Sequence, residues 1–134
     1  MADTHTEGRE ALCPCGSEVD YPHCCGRFVE GGDRPQSAEQ LMRSRYCGFV
    51  LCNEPYLLRT WHPQTRPKQV RLDSHARWLG LSIRHTEAGG ADEVRGTVEF
   101  VARFKIDGRG HRLHEISQFE KIEGQWYYHS GQHL

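Results

Sequence analysis

The pattern of apolar positions changes from helical to alternating along the chain. Over residues 38–50, apolar side chains recur every three or four positions, which predicts a helix with one buried face. Ser37 has a glutamine three residues later and resembles a capping box at the start of that helix. Asn53 can cap a second, shorter helix that ends before Pro63, because the residue preceding a proline disfavours the helical conformation.

From Trp78 onward, apolar and polar residues alternate with a period of two, which is typical of strands buried on one face. The longest such run covers residues 94–106 and leads into a hairpin turn at residues 107–110. A second tight turn, Glu123-Gly124, precedes a last strand. Two helices followed by a meander of four antiparallel strands place the chain in the α+β class.

Four of the six cysteines lie within fourteen residues, between Cys13 and Gly26. So short a segment cannot bury a core of its own, whereas four thiolates around a tetrahedral Zn²⁺ would hold it, with Zn–S bonds of about 2.3 Å. The predicted metal ligands are Cys13, Cys15, Cys24 and Cys25. A closed site of four cysteines leaves no position for water, so we expect a structural zinc ion, with His23 as a spare candidate ligand.

Two other interpretations of these cysteines stay open. A disulfide framework would suit an exported protein, but the first twelve residues contain neither a basic start nor a long apolar run. We therefore expect a cytoplasmic location, where thiols stay reduced, and keep reversible thiol redox chemistry as another hypothesis. The remaining cysteines, Cys47 and Cys52, are predicted to be small packing residues outside the cluster.

Charge and hydropathy limit the partners further. Seventeen basic and eighteen acidic residues give a formal charge of −1, so we expect no general attraction to nucleic acid or to anionic membranes. No apolar stretch approaches the ~20 residues that a membrane-spanning helix needs.

The cysteine-rich stretch resembles the SEC-C motif, which is written Cys-Pro-Cys-Gly-Ser-Gly, two mostly basic residues, Tyr, two more residues and Cys-Cys-Gly. Nine positions match, and these are Cys13, Pro14, Cys15, Gly16, Ser17, Tyr21, Cys24, Cys25 and Gly26. Glu18 replaces the second glycine, and Val19-Asp20 replaces the basic pair. SEC-C units of the preprotein-translocase ATPase dock an acidic chaperone through basic flanks. The resemblance therefore implies a zinc knuckle that recognises a protein partner.

The rest of the chain resembles the NTF2-like domain, a curved antiparallel sheet wrapped around N-terminal helices. The whole chain is similar to the YchJ family of uncharacterised bacterial proteins, which join a SEC-C unit to this domain. The stretches that carry this resemblance are residues 38–46, 60–67, 96–102 and 126–128. The implied organisation is a flexible N-terminus (1–12), a SEC-C motif (13–28), a linker (29–36) and an NTF2-like domain (37–131).

NTF2-like domains often enclose a cone-shaped pocket, and some members are isomerases or dehydratases. The residues predicted to line such a pocket here are Tyr46, Trp61, His62, Glu115, Ser117, Phe119, Trp126 and Tyr128. Glu115 and His62 are the weak catalytic candidates, because an inward-facing carboxylate has a raised pKa unless it is paired, which suits a general base. The alternative is that Glu115 belongs to a buried ion pair or faces outward.

We therefore predict a zinc-binding adaptor protein whose knuckle contacts a protein partner and whose activity is not enzymatic. Chelation of the zinc should unfold the knuckle and spare the sheet. A second hypothesis is a lyase, an isomerase or a small-ligand-binding protein that uses the cone-shaped pocket. A second copy of the chain is a further candidate partner, through a homodimer.

Overall fold

The computed structural model describes residues 12–134, in which a small N-terminal unit and three helices precede a four-stranded sheet. The N-terminus that was predicted to be flexible lies outside the described residues, except for Leu12, which forms an antiparallel bridge with Asp20. A short 3-10 turn occupies Tyr21–His23. The helices are α1 (Gly26–Val29), α2 (Ala38–Val50) and α3 (Glu54–Arg59).

Side chains cap both longer helices as their sequences predict. The Ser37 hydroxyl accepts a hydrogen bond of 3.1 Å from the backbone N–H of Gln40 at the start of α2. The Asn53 side chain accepts a hydrogen bond of 3.1 Å from the backbone N–H of Tyr56 at the start of α3. These bonds satisfy N–H groups that have no partner within the helix, and they confirm both predicted helix starts.

The sheet is an antiparallel meander in the order β1-β2-β3-β4. Its strands are β1 (Arg77–Ala88), β2 (Arg95–Ile106), β3 (Arg109–Ile122) and β4 (Gln125–His133). The chain folds back closely between β1 and β2, since a Cβ on Gly96 would clash with the Cα of Gly89. The carbonyl of Gly89 also accepts a hydrogen bond of 2.9 Å from the backbone N–H of Ala38, which joins this turn to the start of α2.

The main hydrophobic core lies between α2 and the inner face of the sheet. The helix contributes Ala38, Leu41, Met42 and Tyr46, and the sheet contributes Val98, Phe100, Ala102, Phe119 and Trp126. The predicted α+β class, with helices packed on an antiparallel sheet, is thereby confirmed.

The two edges of the sheet differ. The segment after α3 runs beside β4: Thr60 accepts a backbone hydrogen bond of 2.9 Å from Tyr128, and His62 donates one of 2.7 Å to the carbonyl of Tyr128. A parallel bridge joins Trp61 to Tyr128 between these bonds. Within residues 12–134, β1 pairs with β2 alone, so its outer side has no neighbouring strand.

Candidate metal centre

The four cysteines of the N-terminal stretch converge. The Sγ atoms of Cys13, Cys15, Cys24 and Cys25 all lie within 4.8 Å of one another. The Sγ atoms of Cys15 and Cys24 are 3.7 Å apart, and those of Cys24 and Cys25 are 4.0 Å apart. In a tetrahedral Zn²⁺ site with Zn–S bonds of about 2.3 Å, the sulfurs are about 3.8 Å apart. The donor set and its spacing therefore fit zinc.

A small hairpin and a helix start bring these sulfurs together. The backbone N–H of Cys13 donates a hydrogen bond of 2.8 Å to the carbonyl of Val19 across the hairpin, and Gly16 turns the chain at φ +85°. Glu18 stands where the SEC-C motif has its second glycine, and it too has a positive φ, of 67°. A left-handed conformation costs a non-glycine residue about 1 kcal/mol, which explains why the motif prefers glycine there.

A fifth cysteine lies against this cluster. The Sγ of Cys47, in α2, is 3.4 Å from the Sγ of Cys13, and Cys47 is completely buried. Cys52, by contrast, is exposed. The sequence predicts that Cys47 is a packing residue outside the cluster. Nothing in its spacing reveals the contact, because Cys47 lies 34 residues from Cys13.

The knuckle (residues 13–28) packs on the helices of the NTF2-like domain. Its cysteines share a hydrophobic cluster with Phe28, Val29 and Tyr56. Arg43 of α2 donates a hydrogen bond of 2.8 Å to the carbonyl of Cys15, and Arg59 of α3 donates one of 3.1 Å to the carbonyl of Phe28. The knuckle and the domain are therefore joined by apolar packing and by two arginine side chains.

Hydrogen bonding among the thiols favours one thiolate before any metal binds. Hydrogen bonds with Cys15, Cys25 and Cys47 lower the pKa of Cys13. Hydrogen bonds with Cys13 and Cys15 raise the pKa of Cys25, together with its burial. A thiolate is the form that binds metal, so hydrogen bonds that favour a charged sulfur prepare the cluster for a cation.

The spare candidate ligand, His23, lies outside this cluster of sulfurs. Its side chain is 80% exposed, and its Nδ1 is 2.6 Å from the Oδ2 of Asp20. The geometry thus supports a site of four cysteines without a histidine ligand.

The eight residues predicted to line a ligand pocket do not surround one common cavity among those described. Tyr46 borders a cavity of about 200 Å³ beside α2, whereas Phe119 borders a groove at the β1–β2 turn and Trp126 a cavity beside the linker. The other five border none of these three spaces, and they are Trp61, His62, Glu115, Ser117 and Tyr128.

Glu115, the first catalytic candidate, is buried, and both of its carboxylate oxygens have polar partners within the protein. Its Oε2 accepts hydrogen bonds from the Ser117 hydroxyl at 2.6 Å and from the Tyr128 hydroxyl at 3.4 Å. Its Oε1 is 3.0 Å from the Nε2 of His133. Burial and the Glu115 carboxylate raise the pKa of Tyr128 to about 12, so this phenol keeps its proton. These contacts match the alternative to a catalytic role, in which Glu115 is a buried carboxylate paired with other side chains.

His62, the second catalytic candidate, uses both ring nitrogens. Its Nδ1 accepts a hydrogen bond of 3.0 Å from the backbone N–H of Gln64, which leaves the proton on Nε2. Nε2 then donates a hydrogen bond of 2.9 Å to the Oε1 of Glu120. Because both nitrogens are occupied within the protein, His62 anchors the segment after α3 and has no free atom for proton transfer.

Arg45 lies beside Trp61 and Tyr128, two of the predicted pocket residues. Its guanidinium lies 5.1 Å from the Trp61 ring and 4.6 Å from the Tyr128 ring, and its Nη1 donates a hydrogen bond of 2.8 Å to the carbonyl of Leu57. Burial lowers the pKa of Arg45 to about 10, and the side chain therefore stays charged at neutral pH. Two aromatic faces thus stabilise a buried cation at the place where the sequence predicts a pocket.

Comparison with known families decides the identity. Residues 37–131 match the family model described as the middle NTF2-like domain of YchJ, and residues 11–27 match the model of the SEC-C motif. The chain belongs to the YchJ-like UPF0225 family. A UPF0225 protein of Streptomyces coelicolor is 50% identical over 122 residues, which cover 91% of this chain and 95% of that protein. A UPF0225 protein of Chromobacterium violaceum is 46% identical over 125 residues, which cover 90% of this chain and 92% of that protein.

Two solved structures share the fold of this UPF0225 protein. The solution structure of a SEC-C motif containing protein from Rhodopseudomonas palustris has a TM-score of 0.79 and 34% identity, and covers 91% of this chain and 98% of that one. The crystal structure of a SEC-C motif containing protein from Psychrobacter arcticus has a TM-score of 0.74 and 27% identity, and covers 89% and 80%. The resemblance inferred from the sequence is thereby confirmed.

Across residues 12–134, no helix of this UPF0225 protein has the length and apolar character needed to cross a membrane.

Proposed function

We propose that this UPF0225 protein binds a structural zinc ion through Cys13, Cys15, Cys24 and Cys25, and that the ordered knuckle recognises a protein partner. The mutual approach of the four sulfurs within 4.8 Å is the observation that carries the proposal. A closed set of four thiolates offers no position for substrate or water, so the ion would hold a surface in shape instead of catalysing a reaction. A reducing cytoplasm would keep these thiols available for metal.

The outer surface of the knuckle supports a recognition role. Leu12 and Val19 are 47% and 43% exposed, and the pairing of Leu12 with Asp20 brings them to the same hairpin. Exposed apolar side chains that lie close together favour an interaction site. Glu18 and Asp20 add negative charge to this hairpin, whereas the one arginine of the knuckle, Arg27, lies in α1 with its Nε bonded to the carbonyl of Cys24. The proposed partner therefore presents apolar and basic side chains.

The test distinguishes the effect of losing the metal from the effect of changing the exposed surface of the knuckle. Zinc per chain is measured by elemental analysis, and partners are captured from a bacterial lysate with wild-type protein, with a Cys24→Ser, Cys25→Ser double variant and with a Leu12→Ser, Val19→Ser double variant. The last should keep its zinc, since neither side chain is a ligand. Val94→Ser is the matched control, because Val94 is 63% exposed outside the knuckle.

We expect about one zinc per chain in wild type and in both surface variants, and we expect the same partners to be lost from the cysteine and the Leu12/Val19 variants. Partners that bind all four proteins equally would contradict recognition through the knuckle. Wild-type protein without stoichiometric zinc would contradict the metal site.

A second candidate function is the binding of a small apolar ligand in the cavity of about 200 Å³ beside α2. Its lining is mostly aromatic and aliphatic, with Arg71 and Asp73 as charged groups, and it includes neither Glu115 nor His62. The cavity therefore favours binding over catalysis. An Ala102→Leu variant would narrow the space. A fluorescent apolar probe that binds wild type and Ala102→Leu equally would contradict this candidate.

A further inference from the structure

We propose that Cys47 belongs to the metal centre as a hydrogen-bond donor to the Cys13 thiolate, so that α2 of the NTF2-like domain sets the metal affinity of the knuckle. This inference rests on the zinc site proposed above. The Sγ–Sγ distance of 3.4 Å between Cys47 and Cys13 is a hydrogen-bonding contact for sulfur. Both residues are buried, at 0% and 5% exposure, so water does not compete for the contact.

The geometry and the charge balance favour a donor over a fifth ligand. The set of sulfurs that lie mutually within 4.8 Å comprises the four SEC-C cysteines and leaves out Cys47. Structural zinc is almost always four-coordinate. Four thiolates around Zn²⁺ already carry a net charge of −2, and a further buried thiolate would add uncompensated charge at a high desolvation cost. A protonated Cys47 instead donates its S–H to a negative sulfur.

Four side chains make polar contacts with the ligand cysteines from outside the set, and Cys47 is one of them. Arg27 donates a hydrogen bond of 3.0 Å from its Nε to the carbonyl of Cys24. The Ser17 hydroxyl is 3.1 Å from the Sγ of Cys24. Arg43, one turn before Cys47 in α2, donates a hydrogen bond to the carbonyl of Cys15 and brings a positive charge to the site. Groups of this kind orient ligands and stabilise their charge, and their loss typically weakens metal binding by 10–100-fold. Two of the four, Cys47 and Arg43, come from α2, so the affinity of the knuckle depends in part on the neighbouring domain.

The experiment compares wild type with Cys47→Ala, Cys47→Ser and, as a matched control, Cys52→Ala, which removes an exposed cysteine five residues away. Zinc affinity is measured by competition with a chromophoric chelator. The absorption of Co²⁺-loaded protein reports the number of thiolate ligands through its sulfur-to-cobalt charge-transfer band. Circular dichroism of the metal-saturated proteins checks the fold, and Cys47→Val replaces Cys47→Ala if the alanine variant does not fold.

We expect Cys47→Ala to bind zinc about tenfold more weakly than wild type, because it lacks the donor. Cys47→Ser keeps an O–H donor and should stay within about threefold, and Cys52→Ala should match wild type. The charge-transfer intensity per Co²⁺ should be the same in all four proteins.

Three results would overturn the inference while leaving the proposed metal site intact. The first is an unchanged affinity in Cys47→Ala, and the second is an equal loss in the alanine and serine variants. The third is a lower charge-transfer intensity per Co²⁺ in Cys47→Ala, which would make Cys47 a ligand. Wild-type protein that binds neither zinc nor cobalt would instead overturn the proposed function, and this inference with it.

Discussion

Chelation of the proposed zinc ion should lower the stability of the NTF2-like domain as well as that of the knuckle. The sequence alone predicts the opposite, that the sheet stays folded when the metal is removed, because the cysteine-rich stretch is predicted to be a separate unit. In the structure, however, the knuckle cysteines share one hydrophobic cluster with Cys47 of α2 and Tyr56 of α3. When the knuckle loses its metal and unfolds, the helices lose one of their packing surfaces.

The expected size of the effect follows from the residues that would be released. Phe28 and Val29 lie three and four residues after the last ligand, Cys25, and are 5% and 4% exposed. Full burial of one such side chain contributes about 1.5–3 kcal/mol, so exposing both should cost roughly 3–6 kcal/mol. Domains of this size are typically stable by about 5–15 kcal/mol, and 1 kcal/mol corresponds to about 4 °C in Tm. Chelation should therefore lower the Tm of the domain by at least about 10 °C.

Tryptophan fluorescence is a suitable assay, because all three tryptophans, at positions 61, 78 and 126, lie in the NTF2-like domain. Thermal unfolding is followed with zinc, with a strong chelator, and after zinc is added back in excess. The added zinc should restore the original Tm, and Cys52→Ser should behave as wild type does. If elemental analysis shows that the metal is gone and the fluorescence Tm is unchanged, the argument that the two units share a core is wrong.

Two further predictions concern the sheet. Gly96→Ala should lower the free energy of unfolding by about 2–3 kcal/mol in urea titrations, since the new Cβ would meet the backbone of Gly89. The control is Gly80→Ala, whose new Cβ meets no atom within 4 Å and should have little effect. Equal losses of stability in the two variants would contradict this prediction. The hydrogen bond from His62 lowers the pKa of Glu120 below its ordinary value of 4.5. The ionised Glu120 therefore stabilises the folded state above pH 4.5, and this contribution is lost as the pH falls through the lowered pKa. The difference in urea midpoint between wild type and Glu120→Gln should therefore shrink in acid, and a difference independent of pH would refute the assignment.

Local signals account for the parts of the fold that the sequence predicts well. The caps at Ser37 and Asn53 act between residues three apart, so their patterns are visible in the chain. The alternation in β2 is equally local, and Val98, Phe100 and Ala102 are buried as it predicts. The spacing of the four SEC-C cysteines likewise indicates their convergence, because a single tight loop joins them.

Contacts between distant segments were harder to predict. Cys47 meets Cys13 only because α2 packs beside the knuckle, and no periodicity encodes that meeting. The predicted pocket residues do face the interior in several cases, as Trp126 and Glu115 show by their burial. Alternation indicates the face on which a side chain lies, but the space in front of that face depends on neighbours such as Arg45. Side-chain volume and packing therefore decide whether a cavity stays open.

The difference between the two edges of the sheet has a consequence for self-association. Backbone hydrogen bonds to Thr60 and His62 already occupy part of the rim of β4, so an incoming strand would have to displace them. The rim of β1 pairs with no other strand within residues 12–134 and carries an exposed Leu79. If two copies join by strand addition, a two-fold axis beside β1 would unite their meanders into a continuous eight-stranded sheet. The metal knuckles would then be related by the same axis, and one assembly would present two of them.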